Sequence, residues 1–150
     1  MVGHFRRGLG LGFLLCAGAC ATTAKSAPQQ LYFAVEVSRQ GKVVATPKLL
    51  GEAGVPLRAE RRQPGARFAD YQLLLEPKDT GHGYRIKLDL ATPDSSGHSE
   101  LSLLHGEERK VELGRAPGDL QISLMVMRVD SPEFRALFDL SAPRAGPGSI

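Results

Sequence analysis

The sequence has no tryptophan and only two cysteines, and both of these, Cys16 and Cys20, fall within its first twenty residues. From Ala21 onward there is no thiol. A cysteine nucleophile, a thiolate metal centre and an internal disulfide are therefore excluded from most of the chain. Lacking tryptophan and a cysteine pair, the chain also lacks the antibody-type immunoglobulin pattern, though not the wider sandwich class. No run of 18 apolar residues occurs, which argues against a conventional spanning helix. At 150 residues the chain has room for one ordinary domain and a leader, not for a multi-domain enzyme.

Acidic residues are missing from the beginning, where none precedes Glu36. His4, Arg6 and Arg7 form a short basic start. Leu9, Leu11, Phe13, Leu14 and Leu15 follow, and the apolar run continues through Cys16 to Ala21. A basic segment, an apolar stretch and then small residues are the signature of a secretory signal peptide. The order has a physical cause: the positive charge stays on the cytoplasmic side while the apolar run enters the bilayer. Residues 1–24 are thus expected to be an export signal, residues 25–30 a linker, 31–140 one β-domain and 141–150 a flexible tail. Ala17-Gly18-Ala19 and Ala19-Cys20-Ala21 are both A-x-A-like cleavage sites. Ala17-Gly18-Ala19-Cys20 also resembles a bacterial lipobox, with Ala17 where leucine is common. That resemblance implies lipidation of Cys20 and association with the outer membrane through the lipid. The alternative is a soluble periplasmic protein.

The chain carries 19 Lys and Arg against 16 Asp and Glu. Setting aside Arg6 and Arg7 lowers the net charge from +3 to +1. The densest basic cluster, Arg58, Arg61, Arg62 and Arg67, is interrupted by Glu60 and has only Phe68 and Tyr71 nearby. A nucleic-acid interface needs a basic face with stacking aromatics. A solvated turn is the better reading, and no nucleic-acid partner is expected.

Beyond the leader, apolar residues recur at every second position. Leu31, Phe33, Val35 and Val37 share one side of a strand, and Tyr32, Ala34, Glu36 and Ser38 the other. Gln40-Gly41 is a turn, followed by Lys42–Thr46 and, after Pro47, Leu49-Leu50. Val55, Leu57 and Ala59 alternate again, and Tyr71–Leu75 forms the next run. Asp79–Gly83 is a turn. Tyr84, Ile86, Leu88 and Leu90 then alternate with Arg85, Lys87 and Asp89. Thr92–Gly97 reads as a loop. Leu101 and Leu103, then Val111 and Leu113, mark two short strands, and Leu120–Met127 a longer one. Ser131-Pro132-Glu133 is a helix start: an N-cap hydroxyl, proline in the first turn and an acid at the positive end of the dipole. Phe134, Leu137 and Phe138 would share one face of that helix. A final strand over Phe134–Leu140 is the alternative. Seven or eight short strands at this spacing describe an all-β fold, an antiparallel sandwich or small barrel, with a short C-terminal helix.

Gly41–Leu50 followed by Gly54–Glu60 resembles a segment of bacterial secretins, in which a strand ends in a Pro-Lys-aliphatic step before a turn and a second strand. Tyr71–Pro77 and Gly83–Leu90 are similar to a further secretin hairpin. The resemblance covers about residues 41–92. It implies a β-hairpin element and an envelope setting, and, as one reading, a secretin-like ring subunit. The repeated N-terminal domains of secretins have no counterpart here. Only Tyr84–Leu90 and Leu120–Met127 approach the length of a membrane-barrel strand.

Few residues have the types that catalysis needs. His98 and Glu100 lie two apart and so share a strand face. With His105 they are the best candidate for a metal site, although no H-E-x-x-H spacing accompanies them. Asp94, His98 and Ser95, Ser96 or Ser99 have the types of a triad but no G-x-S-x-G elbow. Gly81-His82-Gly83 precedes a strand, not the helix that a phosphate loop requires. No cofactor is expected. These residues leave two functional readings. One is an exported, non-enzymatic β-protein that binds another envelope protein through a sheet edge or a patch including Met125, Met127 and Phe134. For the two methionines, burial in the core is the competing role. The other is a small periplasmic hydrolase or metal-dependent enzyme built on His98, Glu100 and His105.

Overall fold

The computed structural model describes residues 27–141. The expected leader, including Cys20, and residues 142–150 of the expected tail lie outside the described residues.

Strand β1 (Gln30–Arg39) buries Leu31, Phe33, Val35 and Val37 on one side, as its alternation requires. It begins at Gln30, one residue before the expected start of the β-domain. Gln40 and Gly41 turn the chain with φ of 49° and 75°. Positive φ at both central residues is the geometry whose twist matches a two-residue hairpin. The chain returns as β2 (Lys42–Ala45), which pairs with the far end of β1. Pro47 supplies no N–H and interrupts the ladder. Its carbonyl accepts a hydrogen bond from the Val35 N–H at 3.1 Å, and β3 (Lys48–Glu52) resumes along the same side of β1.

The chain then crosses to a second sheet. β4 (Leu57–Arg61), β5 (Tyr71–Asp79), β6 (Tyr84–Ala91) and β7 (Ser96–Leu103) follow one another as an antiparallel meander. It returns as β8 (Glu108–Leu113) and β9 (Leu120–Arg128), and β9 inserts between β8 and β1. Among the described residues the nine strands are antiparallel and the two sheets do not close into a barrel, so the fold is a sandwich with a short C-terminal helix. One core lies between the sheets. Leu31, Phe33, Ile122, Leu124 and Val126 of the first sheet are buried with Leu75, Tyr84, Ile86, Leu88 and Leu90 of the second.

Three boundaries differ from the sequence pattern. β4 starts at Leu57, leaving Val55 exposed in the preceding turn. β5 continues through Pro77, which lies past the end of β4; its carbonyl there accepts the Gly54 N–H at 2.6 Å. β7 starts at Ser96, inside the expected Thr92–Gly97 loop, so Ser96 and Ser99 are strand residues rather than loop residues. Gly97, at an inward position of β7, interrupts the apolar alternation. A Cβ at this position would come within 2.8 Å of the Leu113 Cβ, so the close approach of β7 to the end of β8 requires glycine.

The helix start is as read. In α1 (Pro132–Ser141) the Ser131 Oγ accepts the Phe134 N–H at 3.1 Å and donates to the Arg128 carbonyl at 2.7 Å. Phe134–Leu140 is therefore helical, and the strand alternative is overturned. Met125 and Met127 are not core residues. They lie half-buried on the outer side of β9, and the residue of that side that is buried is Ser123, hydrogen-bonded to Glu108.

Candidate functional site: an apolar row on the outer sheet face

Strand register places Leu50 of β3, Tyr32 of β1 and Met127 of β9 side by side on the outer face of the first sheet. The adjacent row is Lys48, Ala34, Met125 and Glu108. Helix α1 extends the apolar row. The Phe134 ring lies 5.2 Å from the Tyr32 ring and 5.8 Å from that of Phe138. Tilted rings at these separations are in favourable aromatic contact. Phe134 and the two methionines are half-buried, whereas Leu50 and Phe138 are 64% and 66% exposed. A shallow depression of about 230 Å³ beside the row is lined by Ala34, Glu36, Thr46, Lys48, Glu108 and Met125.

A chain of hydrogen bonds fixes the helix against the sandwich. Tyr84 of β6, 2% exposed, donates through its hydroxyl to the Gln29 side chain at 2.7 Å and accepts from the Arg128 Nε at 3.1 Å. The bond to Tyr84 raises the Arg128 pKa. The Arg128 N–H donates to His105 Nδ1 at 3.1 Å, so the neutral ring carries its proton on Nε2, which faces the Glu133 carboxylate at 3.3 Å. Glu133 has a lowered pKa, chiefly from its own backbone N–H and next from His105. In the turn before β8, Glu107 accepts the Leu104 N–H and the Arg109 Nε, each at 2.8 Å, and its pKa is lowered by those two bonds in that order.

The residues proposed for catalysis do not assemble. His98 and Glu100 do share the outer face of β7 in the second sheet, where Glu100 pairs with Arg85 at 3.4 Å and His98 stands opposite Asp89. His105 is bonded instead to Arg128 and Glu133, at the helix. Among the described residues no group of three or more His, Cys, Asp or Glu side chains is placed to hold a metal ion. Asp94 forms an ion pair with Arg39, linking the β6–β7 loop to the first sheet. The arginine cluster is also not simply a turn. Arg58 and Arg61 are strand residues; Arg61 binds Asp70 and the Val44 carbonyl, each at 3.0 Å, and Arg62 pairs with Glu60 at 3.1 Å.

Of the residues in this row, Met127 and Phe134 were singled out by the sequence, with Met125 in the adjacent row, whereas Tyr32 and Leu50 were not. Both left a signal. Tyr32 is an aromatic on the polar side of β1, and the consecutive pair Leu49-Leu50 in a strand forces one leucine outward. Comparison of the chain with protein-family models, with curated proteins and with solved structures finds no match.

Proposed function

We propose that this protein is an exported, non-enzymatic β-sandwich module of the bacterial envelope, and that it binds another envelope protein through the row formed by Leu50, Tyr32, Met127, Phe134 and Phe138. The observation that carries the reading is the exposure of Leu50 and Phe138 at the two ends of a continuous apolar row. Contiguous exposed apolar surface rimmed by charge marks interaction sites. Burying one such side chain in a partner contributes about 1.5–3 kcal/mol. Lys48, Glu108 and Glu133 supply charge at the rim.

The envelope setting rests on the basic and apolar start of the sequence. If Cys20 carries lipid, the ten residues to Gln30 span on the order of 30 Å when extended, which keeps the module close to the membrane surface. The test is photo-crosslinking in the native host, with the crosslinker placed at position 50 or 138 and, as a control, at Lys87 on the opposite sheet. One discrete envelope adduct from positions 50 and 138, absent from position 87, supports the reading. Equal adducts from all three positions, or none from 50 and 138, overturn it.

A further inference from the structure

The opposite face of the sandwich carries a separate feature. Across the outer side of the second sheet, register aligns Arg58 of β4, Leu74 of β5, Asp89 of β6 and His98 of β7 in one row, with Gln72 and Ala91 adjacent in the next. These residues line a depression of about 380 Å³, larger than the one beside the apolar row. Leu74 and Ala91 are half-buried and form an aliphatic floor, while the polar side chains around them are exposed. Glu60 also lines the depression, its charge balanced by Arg62 at 3.1 Å, and the Arg85–Glu100 pair at 3.4 Å lies on the same strands, β6 and β7, as Asp89 and His98. Inside it, no hydrogen bond or ion pair within the described residues engages the side chains of Arg58, Gln72, Asp89 and His98.

We infer that this depression is a binding site for an acidic sugar, a pyranose bearing a carboxylate. Each part of the ligand has a counterpart. The Asp89 carboxylate accepts from ring hydroxyls and cannot donate. Gln72 and His98 donate and accept, which suits hydroxyls that do both. Arg58, at the β4 end of the row, presents a planar fork matched to a carboxylate. The Leu74 and Ala91 floor takes the C–H face of the ring, which a fully polar pocket would leave unsolvated. A simple anion would use Arg58 alone, with Asp89 and Glu60 nearby, and would leave Gln72, His98 and the aliphatic floor without a role. A neutral sugar would leave Arg58 without a role. The site is independent of the protein-binding face, so either reading can fail without the other.

The experiment is a heteronuclear NMR titration of the protein with glucuronic acid, with glucose and acetate as comparators. Saturable shifts at the backbone amides of Arg58, Gln72, Asp89 and His98 are expected for glucuronic acid, with glucose weaker by about tenfold, the loss expected for one charge-assisted bond. Asp89→Asn should weaken glucose more than glucuronic acid, because it removes a hydroxyl acceptor for both but also relieves repulsion with the sugar carboxylate. Arg58→Gln should remove the preference between them. Both substitutions are on exposed strand positions, and an unchanged amide spectrum elsewhere verifies the fold. Equal shifts with acetate would reduce the site to a lone arginine and overturn the inference. So would shifts with glucuronic acid that do not saturate or that lie outside this face.

Discussion

The buried hydroxyl of Tyr84 accepts a hydrogen bond from the Arg128 Nε at 3.1 Å and so ties the second sheet to the last residue of the first sheet's central strand β9. Its own proton goes to Gln29 at 2.7 Å. One side chain thereby holds the start of the folded unit, the end of β9 and the approach to the helix. Tyr84→Phe keeps the ring and deletes these bonds. The expected loss is about 1–2 kcal/mol, because a cation is one of the partners. Thermal denaturation should show a midpoint several degrees lower, with the largest rise in hydrogen exchange at residues 29–31 and 128–134.

Ser131 closes the first turn of the helix and also bonds back to Arg128. Ser131→Ala should cost about 1 kcal/mol. The loss should be local: faster exchange over residues 132–138 and weaker contact between Phe134 and Tyr32, with the core strands unchanged. Ser131→Asp retains a capping oxygen and should restore most of the protection.

Acid should loosen the same region. Glu133 and Glu107 both have pKa values below the usual carboxylate range because the fold hydrogen-bonds their charged forms. Groups whose pKa is lowered by folding stabilise the fold above the unfolded value, about 4.3 for glutamate, and that contribution is lost as pH falls through the folded value. Stability should therefore fall as pH drops below about 4.3. Glu133→Gln and Glu107→Gln should each make that fall shallower. A steeper acid limb in either variant would contradict the assignment.

Gly97 is packed against Leu113, with no space for a β-carbon. Gly97→Ala should destabilise by about 1–3 kcal/mol through overpacking. Combining it with Leu113→Gly should cost less than the sum of the two single changes, because the second removes the β-carbon the first would strike. Simple additivity in a double-mutant cycle would show that the close approach is relieved in some other way.

Much of the fold was legible because period-2 alternation survives wherever a strand has one buried side. β6 follows that rule throughout, and β1 as far as Ser38. β7 did not, because its first inward positions are Gly97 and Ser99, which are small where the strand edge meets β8. The helix was legible from Ser131-Pro132-Glu133, since a cap is a local interaction. The apolar row was only half legible. Met127 and Phe134 carry their own signal, but Leu50 and Tyr32 join them through pairings between distant strands. The proposed metal site failed for the same reason. Parity correctly put His98 and Glu100 on one face, but parity ends at a turn, and the β7–β8 turn takes His105 to the helix.

The most direct test of the protein-binding face uses the crosslinked partner, once identified, in quantitative binding to the Leu50→Glu/Phe138→Glu double variant, with a thermal melt of the same sample. Both side chains are mostly exposed, so the melting temperature should stay within about 2 °C of the parent, while affinity falls by at least about tenfold. Undiminished binding by a folded variant would contradict the proposal, and a large drop in melting temperature would place Leu50 and Phe138 among the residues that hold the fold together.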